Sequence, residues 1–152
     1  MSELSVDQQI AAFLAVCRTA SLATVDAEGR PCAANVQYVS DTEWRLYWVS
    51  GEMAAHSVNL AERADAALTV YAHLDEPALI HGLQMRGVAE GIVGDAAAEA
   101  LGLYTAKYPF TAEPPYREAV LKQRFYRFTP AWIRWIDNRR GFGWKSERTL
   151  NG

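Results

Sequence analysis

Leu22-Ala23-Thr24-Val25-Asp26-Ala27-Glu28-Gly29-Arg30-Pro31-Cys32-Ala33-Ala34-Asn35-Val36-Gln37-Tyr38 is the stretch that decides the fold. Two extended runs flank Asp26-Ala27-Glu28-Gly29, where an Asp side chain can bond its own backbone and Gly29 is free to take a positive φ. Cys32, Ala34, Val36 and Tyr38 alternate with Ala33, Asn35, Gln37 and Val39, so one face packs and the other is mixed. This is an antiparallel hairpin. After a turn at Asp41-Thr42, Trp44–Val49 reads as a third, aromatic-rich strand in meander order.

Outward from the hairpin the period changes. Upstream, Ser5-Val6-Asp7-Gln8 has the spacing of a capping box, and Ile10, Phe13, Leu14 and Cys17 share one helical face. Downstream, Ser50-Gly51 breaks the third strand, and Met53–Glu62 has the composition of a short helix. Ala66–Ala72 is a strand, and another runs from about Ile80 to Val93. Gly82, Gly87 and Gly91 mark bulges or close approaches in it. Asp95 opens an alanine-rich helix to about Lys107, the proline-bearing Tyr108–Pro115 is a loop, and Tyr116–Lys122 is a short helix. Phe125–Thr129 and Trp132–Asp137 read as two strands split by Pro130. Six or seven strands without βαβ alternation exclude a Rossmann fold. They predict a mainly β chain, an antiparallel Greek-key-like barrel with peripheral helices, as one domain over 1–152 with a basic C-terminal tail at 138–152.

The chain of 152 residues and 16.9 kDa is half apolar and 22% charged, which excludes disorder. No apolar run approaches the roughly eighteen residues of a membrane span, and the first residues lack a secretory pattern, so a cytoplasmic protein is expected. Cys17 and Cys32 stand apart as small core residues. The net charge of −3 predicts no nucleic-acid partner, but it is unevenly spread. Residues 1–114 carry 6 basic against 15 acidic side chains, and residues 115–152 carry 9 against 3. Such a basic end binds an anion, docks on an acidic surface of a second copy, or is simply solvated. There is no GxGxxG, P-loop, GxSxG or HExxH, and His56, His73 and His81 lack metal-ligand spacing. No catalytic acid–base pair stands out, so any chemistry is expected from a cofactor.

At this point the residues resemble a known family. Leu22–Pro31 is similar to the first hairpin of the FMN-binding split-barrel proteins related to pyridoxamine 5′-phosphate oxidase. Leu46-Tyr47-Trp48-Val49-Ser50, His56-Ser57-Val58-Asn59-Leu60 and Ala66–Tyr71 follow that family's strand, helix and strand, and Gly82-Leu83-Gln84-Met85-Arg86-Gly87 fits its next strand. Ile136-Asp137-Asn138-Arg139-Arg140-Gly141-Phe142-Gly143 is similar to a small bacterial branch of that superfamily. The resemblance covers roughly residues 5–145 and implies a split-barrel homodimer with two FMN sites at the subunit interface. It implies a flavin-dependent oxidoreductase acting on a small molecule. The alternative is a non-catalytic dimer that binds heme, a deazaflavin or no cofactor.

The resemblance also assigns candidate residues. Ser50 and Gly51 lie between a strand and a helix start, where free N–H groups favour an anion, and Ser50 matches the family's hydroxyl position. Better-known members carry an Arg-Lys pair one turn into the helix, where this chain has Ala55-His56. His56 either meets the phosphate or merely packs, and the cations expected to replace the pair are Arg86, or Arg139 and Arg140 of a second copy's tail. Asn35 and Val36 lie on the strand that carries the ring, and Gln84 either bonds the flavin edge or faces solvent. Trp132, Trp135 and Trp144 are candidates for stacking or for packing. Asn138, Arg139 and Phe142 belong to a shaped loop near the neighbouring cofactor. The Asp137–Gly141 stretch departs from the basic motif that binds the substrate's phosphate in pyridoxamine phosphate oxidase proper, so vitamin B6 oxidation is not expected. The aromatic strands at Trp44–Val49 and Phe125–Trp135 are expected to form an apolar dimer seam.

Overall fold

The computed structural model describes residues 3–150. Helix α1 (Val6–Val16) opens on the expected capping box: Ser5 accepts from the Gln8 amide and Gln8 returns a bond to the Ser5 amide. Strands β1 (Thr19–Val25) and β2 (Pro31–Gln37) form the hairpin, and Gly29 in its turn has φ 81°. Tyr38 alone separates β2 from β3 (Val39–Ser40), which pairs with β4 (Leu46–Ser50). Then follow α2 (Ala55–Glu62), β5 (Asp65–Tyr71), β6 (His81–Ile92), α3 (Gly94–Lys107), α4 (Tyr116–Leu121), β7 (Arg124–Asp137) and β8 (Lys145–Thr149).

All pairings are antiparallel, in the order β2-β1-β5-β6-β7-β4-β3, with β8 beside the second half of β7. Because β2 and β3 are one continuous stretch, the two ends of this order are joined across Tyr38 and the sheet curls into a barrel. Ile10, Phe13, Leu14, Leu22, Leu46, Trp48, Leu60, Leu68, Met85, Phe128 and Trp135 fill its interior. Helices α3 and α4 cover the outside of one half. There Ala100, Tyr104, Tyr108 and Val120 pack on Val39, Tyr47, Ile92 and Phe125. Strand β4 and the first residues of β7 are thus covered on both faces, which explains their aromatic runs.

Several sequence expectations change. The aromatics expected at a dimer seam lie inside this chain: Trp48, Phe128 and Trp135 are each at most 1% exposed. The third strand starts at Leu46 rather than Trp44, because Asp41 accepts the amides of Glu43 and Arg45 and holds Trp44 in the turn at φ 60°. Cys17 caps α1 in an extended conformation rather than lying on its face. Asp95 sits in the first turn of α3 but does not cap it. Pro130 does not split β7; the strand runs through it. Residues 138–150 of the expected basic tail form a 3-10 turn, a glycine-bearing loop and β8. No helix among the described residues is long and apolar enough to cross a membrane.

The β6–β7 pair is the longest ladder, and its register shifts between Arg86 and Gly87, leaving Ala131 as the extra residue. The Gly87 backbone lies so close to Thr129 that an added Cβ would sit 2.1 Å from its carbonyl oxygen. Gly87→Ala is therefore expected to destabilise the fold by about 3 kcal/mol or more. Gly102→Ala, in α3 with open space around it, should be neutral or stabilising by up to about 1 kcal/mol. Urea denaturation of the two variants tests the contrast, and equal midpoints would refute the crossing's importance.

The carbonyls of Leu14 and Cys17, at the end of α1, are gripped by the ammonium of Lys107, which lies 4.2 Å over the Tyr38 ring. Burial pushes the Lys107 amine down to about 8, below an unfolded lysine near 10.4. Between those values the unfolded chain binds more protons than the folded one, so this group makes stability rise with pH. Wild-type stability relative to Lys107→Met should therefore improve from pH 8 to pH 10, as read from urea midpoints.

Candidate functional site

Ser50 is the last residue of β4, and the chain leaves it through exposed Gly51 to enter α2. The N-cap of that helix is Ala54, whose side chain can accept nothing, so the first amides of α2 have no side-chain cap. Across this mouth the Ser50 hydroxyl and His56 Nε2 are 2.8 Å apart. Burial lowers the His56 pKa, favouring the neutral ring. The mouth therefore combines uncapped amides, a hydroxyl and a neutral imidazole, which suits an anion that needs hydrogen bonds. Below it α2 is tied to the barrel by Asn59, which donates to the buried Thr24 hydroxyl at 3.0 Å.

A second group lies on the outer face of the sheet half that no helix covers. Register places Asn35, Ser21, Thr69, Gln84, Arg134 and Glu147 in one row across six strands. Ser21 donates to Asn35 at 2.9 Å, and Arg134 donates to Gln84 at 3.2 Å and pairs with Glu147 at 2.7 Å. The next row holds Ala33, Ala23, Ala67, Arg86 and Trp132. Arg86 lies 4.3 Å over the Trp132 ring and has no ion-pair partner among the described residues. Three alanines beside two amides and an indole make a flat floor with polar edges.

The third group follows β7. Asp137 is 2% exposed; burial alone would raise its pKa, but Arg139 bonds through its amide and guanidinium and holds the carboxyl below the usual range. Arg140 stands 3.6 Å from the same carboxylate and over Trp144. Asn138 donates to the Pro77 carbonyl and accepts the Gly143 amide. Gly141 and Gly143, at φ 138° and 75°, complete a braced turn that presents Phe142 79% exposed.

Structure thus gathers Ser50, Gly51 and His56 in one place, Asn35, Gln84 and Arg86 in another, and Asn138, Arg139 and Phe142 in a third. Val36 differs: its side chain points into the barrel core, 6% exposed, which leaves only its backbone to meet a ligand. Trp135 is likewise a core residue and cannot stack on an outside ring. Within this chain Arg139 bonds Asp137 and Arg140 stands 3.6 Å from the same carboxylate. Arg124, opposite Ser50 in the β4–β7 ladder, is a cation that sequence reading passed over. Its place depends on a register that no local pattern reveals. No group of three His, Cys, Asp or Glu side chains among the described residues could hold a metal.

The profile of the pyridoxamine 5′-phosphate oxidase family matches residues 6–137. The chain belongs to this family. It is 31% identical over 113 residues to the UPF0306 protein of Klebsiella pneumoniae strain 342, covering 74% of this chain and 72% of that one. Among solved structures, the heme binding protein from Mycobacterium smegmatis superposes with a TM-score of 0.77 at 23% identity, over 98% of this chain. The match spans only 60% of that longer protein. HutZ, the heme storage protein from Vibrio cholerae, gives 0.70 at 18% identity over 84% of this chain and 91% of its own. These likenesses show the split-barrel fold of the family.

The geometry makes His56 the first residue to test. In an NMR pH titration its ring should titrate below the ordinary histidine value of about 6.5. A midpoint at or above that value would refute the half-buried, neutral ring.

Proposed function

We propose that this chain binds FMN and serves as a flavin-dependent oxidoreductase for a small molecule, as a homodimer with cofactor sites at the subunit interface. The observation that carries the reading is the α2 mouth, where the Ser50–His56 pair stands beside uncapped amides. FMN is a flat ring joined to a phosphate. The mouth suits the phosphate, and the alanine floor edged by Asn35 and Gln84 suits the ring. When bound, the flavin supplies hydride transfer. The protein's own task is to hold the phosphate through Ser50, His56 and Gly51, and to orient the ring edge through amides. The uncovered sheet face and exposed Phe142 support pairing with a second copy, since this face carries small side chains and the core aromatics are already used. Oxidation of pyridoxamine phosphate itself is not the proposed reaction, because Arg139 and Arg140 are both drawn to Asp137.

A second reading rests on His81. A carbonyl cannot donate, so Nδ1 of His81, 2.8 Å from the Leu79 carbonyl, must carry the proton. In the neutral ring this leaves Nε2 with a free lone pair, the arrangement of an oriented metal ligand. Two structures of this fold are named for heme. This supports heme as the alternative ligand.

The absorption spectrum of the purified protein, before and after loading with FMN, separates the two. Retained flavin bands are expected, and Ser50→Ala with His56→Ala should weaken FMN binding about tenfold or more. A Soret band lost in His81→Ala would establish the second reading instead. Failure to retain FMN would refute the first.

A further inference from the structure

An ester phosphate approaches two negative charges near neutral pH, yet the eight residues of α2 include no lysine or arginine. Hydrogen bonds from Ser50, His56 and amides leave that charge uncompensated. The compensating group stands on another strand. Arg124 opens β7 directly opposite Ser50. Opposed residues of an antiparallel pair point to the same face, with Cβ atoms about 5 Å apart. Its stem runs over β6 at Gly91, where an added Cβ would lie 2.8 Å from Arg124 Cδ. Gly91 does not have the positive φ that would call for glycine, so its missing side chain serves the arginine's path. Glu52, two residues beyond Ser50, sits 3.1 Å from Arg124 Nε, with the two side chains 63% and 42% exposed. An ion pair so exposed is weak and exchangeable.

We propose that Arg124 reads the charge of the bound phosphate, that Glu52 holds it until the phosphate takes over, and that this exchange selects the phosphorylated flavin over riboflavin. The inference rests on the FMN reading above. Its chemistry is a swap of one carboxylate for one phosphate at a single guanidinium, with no covalent step.

Titrations followed by flavin fluorescence test it, using FMN and riboflavin with wild type, Arg124→Gln and Glu52→Gln. Arg124→Gln should weaken FMN binding about tenfold to a hundredfold and leave riboflavin binding unchanged. Glu52→Gln should tighten FMN binding by about two- to fivefold, since the competing carboxylate is gone. Equal FMN affinity in Arg124→Gln and wild type would overturn the role of Arg124 while leaving the FMN reading standing. Parallel loss of both ligands in Arg124→Gln would mark a structural residue and also overturn it. Wild type that binds neither ligand would bring down both the reading and this inference.

Discussion

Tyr38 is the residue on which the architecture turns. It alone separates the strand that pairs with β1 from the strand that pairs with β4, so the two ends of the sheet meet through one residue. A flat sheet could not satisfy that connection. Three elements converge to hold it. The Tyr38 hydroxyl donates to Leu14 at the end of α1, its carbonyl accepts from the Tyr108 hydroxyl, and the Lys107 ammonium lies over its ring. Closure creates the interior that takes Trp48 and Trp135, whose truncation would cost about 3–5 kcal/mol each. It also sets the end of β4, and with it Ser50, beside the start of β7.

Curling divides the outside of the barrel unequally. Where α3 and α4 lie, Val39, Tyr47, Ile92 and Phe125 face the helices, so the middle of that half is packed rather than open. Where no helix lies, outward positions carry Asn35, Ser21, Thr69 and Gln84 in one row and alanines in the next. The same strands that fill the core thus carry this outer row at every second residue.

Local chemistry was legible in the sequence wherever it acts over a few residues. Ser5 and Gln8, the Asp26–Gly29 turn, and the alternation from Cys32 to Tyr38 all act at that range. The three glycines of β6 were legible as close approaches, and each has backbone or a side chain within 3 Å of a would-be Cβ. What stayed hidden depends on pairing. Pro130 looked like a strand break because its missing N–H is visible in sequence. The bulge at Ala131 that accommodates it arises only opposite Gly87. The aromatic runs looked like a seam because sequence cannot say that the sheet closes over Trp48, Phe128 and Trp135 while α3 and α4 cover Tyr47 and Phe125. Lys145–Thr149 has a charged composition that hides a strand, yet it pairs with β7 along its length. Of the candidate site, the nearness of Ser50 and His56 was legible from their place at a strand–helix junction, and the position of Arg124 opposite Ser50 was not.

The contrast between an acidic body and a basic end also resolves once the chain is folded. Arg127 pairs with Glu90, Arg148 with Asp7, Arg134 with Glu147, and Arg139 with Asp137. Most of the basic end is therefore spent within this chain, stapling β7 and β8 to the strands and helix beside them. Half of the end's excess of six positive charges is met by acids of the body, at Glu52, Glu90 and Asp7. Arg124 differs because its partner, Glu52, sits in the segment that leads to the α2 mouth rather than on a paired strand. Replacing the carboxylate there would disturb no ladder. Among these pairings, that one stands in the segment between Ser50 and the uncapped start of α2.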